Sequence, residues 1–331
     1  MQMLKGKWLT GLVGLSACVV AALATPERLM ALGPMKTSLT SANEMTRTLA
    51  QVELSIARTA LVALGLALIF LAPRLGALAR HPAVAPWLTP LPPAVEAAQR
   101  RFFSASVAVF AAVAAAMLGG VLIDATPYSL TLEDGPFEQF TAVAFFAAGV
   151  VGLLACWRGR RARRTVPLLL MTAFFFVAAG EEISWGQRIW GFASPELVKE
   201  YNVQGETNIH NMFGYLADHA FIAGTLLYAG LLPLLCVGWP ALLRLLWRNG
   251  VPVGSAGLGL AFIALSLLHD WTLGRAAGPW SQVRVAEIRE ALAGLGYLLL
   301  MVETVRMQRR MGRVSSGSPG GEASAGAYAG P

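Results

Sequence analysis

The sequence predicts an all-α integral membrane protein, a polytopic bundle of about eight transmembrane helices with both termini on the cytoplasmic side. Three observations carry this. Of the 331 residues, 56% are hydrophobic and 14% charged, whereas soluble domains carry about 25% charged residues. Mean hydropathy is +0.57. Apolar runs recur along the chain, and basic residues gather in alternate loops. The net charge of +7 is therefore read as cytoplasmic loop arginines, and no nucleic-acid partner is expected. Cys18, Cys156 and Cys236 lie inside apolar runs without metal-like spacing and are expected to be packing residues.

The first run, about Trp8 to Ala24, follows a short basic start. Ala22-Leu23-Ala24 resembles a signal-peptide cleavage site and Leu15-Ser16-Ala17-Cys18 a lipoprotein box, but the run continues past Cys18, so an uncleaved helix is expected. The second run, about Leu54 to Ala72, stops at Pro73-Arg74, and the proline-rich loop with Arg80, Arg100 and Arg101 reads as cytoplasmic. A third, alanine-rich run ends near Ile123, followed by an acidic outer loop with Asp124, Glu133 and Asp134. The fourth runs from about Phe137 to Trp157 and meets the arginine cluster from Arg158 to Arg164, the strongest cytoplasmic marker in the chain.

The fifth run, from about Val166, ends in Gly180-Glu181-Glu182-Ile183-Ser184-Trp185-Gly186-Gln187-Arg188. Ser194-Pro195 reads as a helix N-cap and first position, opening a short interfacial helix to about Tyr201. A sixth run ends near Val237, with Arg244 and Arg248 in the next inside loop. The seventh, about Leu258 to Trp271, contains His269 and Asp270, and the eighth runs from about Val285 to Val305. Glu303 and Arg306 read as an inner ion pair. One domain is expected from 1 to 313, with a disordered cytoplasmic tail from 314 to 331.

In this topology Glu138, Glu181, Glu182, Glu206, His210, His219, His269, Asp270, Glu287 and Glu290 share one membrane depth on the outer side. Ionisable residues inside membrane helices are functional candidates by default. If the fifth helix continues through Gly186, then Glu181, Ser184, Trp185 and Arg188 lie on one face. Glu181, Glu182, Arg188 and Glu206 are the candidate catalytic residues, with Arg188 suited to an anionic head group. His210, His219 and His269 are candidate ligands for a divalent metal such as zinc, supported by Glu138, Asn211, Asp270, Glu287 and Glu290. Trp185 and Trp190 read as interface aromatics.

Gly180-Glu-Glu-Ile-Ser-Trp-Gly-Gln-Arg188, followed by Asn202-x-Gln204-x-Glu206-x-x-x-His210-Asn211, resembles a family of bacterial multi-pass membrane proteins of uncharacterised activity. A more partial similarity is to the CAAX-type intramembrane proteases, with Glu181-Glu182 at their paired acids. Here the arginine stands two positions late at Arg188, Tyr215-x-x-x-His219 replaces Phe-x-x-x-His, and Leu273 stands where Asn follows the last histidine. The expectation is a membrane enzyme of the bacterial inner membrane, a hydrolase or group transferase acting on a lipid or lipid-linked substrate. The alternatives are a proton-coupled transporter and a structural or assembly protein of the envelope.

Overall fold

Alternating apolar runs and polar breaks become helices in a computed structural model that describes residues 2–32, 39–42, 44–74, 77, 81–82, 93–123, 129–132, 134–158, 162–196, 198, 207–208, 215–268 and 283–316. The helices are α1 (Gln2–Leu23), α2 (Pro26–Leu32), α3 (Glu44–Leu71), α4 (Pro93–Ile123), α5 (Pro136–Arg158) and α6 (Ala162–Glu182). There follow α7 (Gln187–Trp190), α8 (Tyr215–Gly224), a π-helical stretch Thr225–Leu231, α9 (Leu232–Gly238), α10 (Pro240–Arg248), α11 (Ala256–Ser266) and α12 (Val285–Ser316). Every described regular element is helical. Four stretches are long and apolar enough to cross a membrane: Ala50–Arg74, Pro136–Trp157, Thr165–Glu182 and Ala217–Val237. Thr10–Leu23, Ala105–Val121 and Ala256–Ser266 are apolar but shorter. The eighth expected run lies within α12, which continues to Ser316, past the expected start of the tail.

The chain divides into two compact units, Met1–Leu88 with Leu235–Pro240, and Thr89–Leu234 with Ala241–Pro331. In the first, α1 packs against α3. The contact is close because both helices carry glycine there: a Cβ on Gly14 would meet the Gly65 carbonyl oxygen at 2.6 Å, and a Cβ on Gly65 would meet Cys18 Sγ at 2.5 Å. Arg58 Nε donates to the Ala21 carbonyl at 3.0 Å and holds the hairpin farther along.

The second unit is organised around α12, which packs chiefly on α5 and also on α4 and α11, while α5 packs on α6. Small residues allow this. A Cβ on Gly294 would stand 3.1 Å from Ala144 Cβ, and Ala291, Ala293 and Ala148 are fully buried. Outward faces remain apolar, with Val143, Phe146, Val150, Leu153, Leu170 and Phe174 exposed. Such a surface suits hydrocarbon surroundings. Glu303 accepts from Ser255 N at 2.7 Å and from Ser255 Oγ at 2.9 Å, tying α12 to the start of α11. This buried carboxylate thus braces Ser255, the N-cap of α11, whose Oγ accepts from Leu258 N at 3.4 Å, a role the sequence did not suggest.

Candidate functional site: a carboxylate cluster over an aromatic layer

Helix ends of the second unit bring acids together. Glu138 opens α5, Glu181 and Glu182 close α6, Asp218 lies in the first turn of α8, and Glu287 and Glu290 open α12. Glu182 lies within electrostatic reach of Glu290, Glu287, Glu138 and Glu181. Glu290 lies within reach of Glu287, Asp218, Arg289 and Glu138. Both are half-buried. Glu138 Oε2 also accepts from Asp134 N at 2.5 Å, fixing the turn that leads into α5.

Two guanidiniums answer this charge. Arg289 is only 4% exposed, donates from Nη2 to Asp218 Oδ1 at 2.6 Å and from Nη1 to the Leu268 carbonyl at 3.5 Å, and its Nε finds no acceptor among the described residues. Arg284 Nη1 stands 3.8 Å from Glu287 Oε1. Its backbone N–H donates to Thr131 Oγ1 at 3.3 Å, joining the start of α12 to the 3₁₀ turn Ser129–Thr131. Arg289 was not among the residues singled out from the sequence. The available signal was its charge between Glu287 and Glu290 at the head of an apolar run, where a buried arginine needs a partner.

The Gly180–Arg188 motif folds differently from a continuous helix. Helix α6 stops at Glu182, and Ser184, Trp185 and Gly186 take φ of 46°, 55° and 78° in the left-handed region. The expected common helical face of Glu181, Ser184, Trp185 and Arg188 is therefore broken, because left-handed residues reverse the chain. Glu181 and Trp185 nevertheless meet: the indole Nε1 donates to Glu181 Oε1 at 2.6 Å. Gly180 makes room, since a Cβ there would stand 2.9 Å from the Trp185 ring. Gly186 suits both its positive φ and the cover of Trp190, whose ring a Cβ would meet at 2.1 Å.

The motif's remaining polar groups clamp a distant segment. Gln187 Nε2 donates to Ser194 Oγ at 2.9 Å, and Thr207 N donates to Gln187 Oε1 at 2.7 Å. Ser194 Oγ lies 3.0 Å from Thr207 Oγ1, and Asn208 Nδ2 donates to buried Ser184 Oγ at 3.2 Å. Ser194 thus joins this clamp, where the sequence suggested a helix N-cap. The expected short helix after it lies mostly outside the described residues. So do Glu206, His210, Asn211, His269 and Asp270, and the side chain of Arg188. His219 is half-buried on α8, next in sequence to Asp218. Among the described residues, no three His, Cys, Asp or Glu side chains are grouped to hold a metal ion.

Aromatic side chains lie two turns below the acids. Phe145, Phe175 and Tyr297 each stand seven residues from an acid, Glu138, Glu182 and Glu290 respectively, or about 10 Å along the helix. Phe175 and Phe262 centre 5.3 and 5.0 Å from Tyr297, Phe145 lies 6.1 Å from both Phe175 and Tyr297, and Phe221 lies 6.2 Å from Phe145. Phe145, Phe175, Phe262 and Tyr297 are buried, and the Tyr297 hydroxyl meets Thr225 Oγ1 at 2.9 Å.

Fold and site together define a class: an all-helical protein with four helices able to cross a membrane and an acid-rich cluster where helix ends converge. No protein-family model, curated protein or solved structure matches the chain.

Proposed function

We propose that the protein is an integral enzyme of the bacterial inner membrane, a hydrolase or group transferase acting on a lipid or lipid-linked substrate at the extracytoplasmic face. The arginines of 158–164, 244–248 and 306–313 set the orientation, and the acid cluster then lies on the outer side. The observation that carries the reading is the layering of half-buried acids directly over packed aromatics. Acids backed by packed aromatics suit chemistry on a substrate that arrives from the acid side. A relay across the membrane would need polar groups to continue through the aromatic layer.

In this reading Glu182 is the general base and Glu290 the acid beside it. One carboxylate takes the proton of a water or substrate hydroxyl as its oxygen attacks an acyl carbon or phosphorus. The neighbouring carboxyl gives a proton to the departing oxygen. Arg289, anchored by Asp218, lies within electrostatic reach of Glu290 and acts as a positioning residue through its charge. Glu181, hydrogen-bonded to Trp185, shapes the turn.

The test is lipid profiling of a deletion strain complemented with wild type, Glu182→Gln or Glu290→Gln, with membrane levels matched. Either variant is expected to behave like the deletion, with activity lowered about 100-fold or more, as for loss of a general acid or base. Wild-type lipid profiles from both variants would sink the proposal. The transport alternative predicts proton flux in proteoliposomes.

A further inference from the structure

We infer that the shallow groove between α4 and α5 binds one acyl chain of an aminophospholipid and presents its ammonium head to the carboxylate cluster. The groove encloses about 450 Å³ and is lined almost wholly by carbon, including Ala112, Ala116 and Gly120 of α4, Leu130, and Phe137 and Phe140 of α5. It exists because α4 carries a small residue at every fourth position there. Ala112 and Ala116 leave the wall low and exposed, while buried Phe137 forms part of the floor. From Ala112 to Gly120 the groove follows eight residues of helix, about 12 Å, close to the roughly 15 Å hydrocarbon depth of one leaflet.

Its upper end adjoins the site. Phe137 directly precedes Glu138, and Leu130 precedes Thr131, whose hydroxyl accepts from Arg284 at the start of α12. A chain lying in the groove therefore brings its head group to the edge of the cluster. Among the described residues there, Glu138, Glu181, Glu182, Asp218 and Glu287 outnumber Arg284 and Arg289 even with Glu290 taken as the protonated acid, so the local charge favours a cation. An ammonium head meets that requirement, and a purely anionic head does not. The inference deepens the proposed function and rests on it for the site's chemistry, but it concerns binding and is testable without turnover.

The test uses the full chain in nanodiscs with phosphatidylethanolamine carrying a diazirine in its acyl chain, and in parallel phosphatidylglycerol with the same chain. Adducts are mapped by mass spectrometry. The amine lipid is expected to label peptides spanning 112–120 and 137–140 about three-fold more than the anionic lipid, the ratio one partly exposed ion pair supplies. Glu138→Gln is expected to remove that preference and keep the labelling. Ala112→Trp and Ala116→Trp, both at exposed positions, are expected to remove most labelling, with Ala111→Trp, also exposed, as the unaffected control. Monodispersity and melting temperature establish that each variant is folded.

Labelling unchanged by both groove variants would overturn the inference. So would equal labelling by the two lipids, or a disulfide-linked dimer through Ala116→Cys, which would make the face a contact between two copies. Loss of groove labelling with a Glu182-dependent lipid change intact would leave the enzyme reading standing. Intact labelling with Glu182→Gln silent would remove the enzyme reading and keep the groove.

Discussion

Arg289 shows how one residue sets the terms for its neighbours. A guanidinium 4% exposed requires a counter-charge, and Asp218 at 2.6 Å provides it while remaining partly in solvent. Removing one member of a fully buried pair costs about 3–5 kcal/mol, and Asp218 keeps enough exposure to bring the expected cost of Asp218→Ala down to about 2 kcal/mol. Glu290 lies within electrostatic reach of Arg289 and is positioned to take over part of that role. The double variant Asp218→Ala/Glu290→Gln is therefore expected to lose about 1 kcal/mol more than the sum of the single losses. Denaturant unfolding in detergent measures this cycle. Strict additivity would show that Glu290 does not share the guanidinium.

At the scale of elements, the α1/α3 hairpin depends on two glycines facing each other. Gly65→Val is expected to push the helices apart, because its side chain would meet Cys18 Sγ and the Gly14 carbonyl, and to lower stability by about 1–3 kcal/mol, as overpacking does. A Gly65→Val melting temperature equal to wild type would mean that α1 and α3 do not rely on this approach. Helices are also where sequence and structure agree most readily. Among the described residues each apolar run from Trp8 to Val305 overlaps a helix, the seventh only as far as Ser266, because burial and backbone satisfaction both follow from local composition. The end of α6 was harder to read. Its apolar pattern gives no sign that Ser184 and Trp185 adopt positive φ, a conformation braced by Asn208 at Ser184 and by Ser194 and Thr207 at the adjoining Gln187, all remote in sequence. The convergence of Glu138, Glu182 and Glu290 followed from counting helix ends. Arg289 and the Phe137–Phe140 groove did not, since each depends on which side of a helix meets which neighbour.

Across the whole molecule, what separates an enzyme open to one face from a conduit is the layer beneath the acids. Phe145, Phe175, Phe262 and Tyr297 come from four helices, and all are buried, with Phe221 packed beside them. Water crossing the second unit at this point would have to displace aromatic packing whose pairs contribute about 0.5–1.5 kcal/mol each beyond area burial. Purified wild-type protein in proteoliposomes is therefore expected to leave an imposed pH gradient at the rate of protein-free vesicles. Phe175→Ala/Tyr297→Ala is expected to raise the proton leak, because it removes two central rings and leaves Thr225 without the Tyr297 hydroxyl at the floor of the acid cluster. Folding of the variant is checked by elution volume and helical content. A wild-type flux that Glu182→Gln abolishes would identify the acids as part of a relay and replace the enzyme reading with transport. A leak seen only in the double variant would identify the aromatic layer as the seal that confines the acids' chemistry to one side.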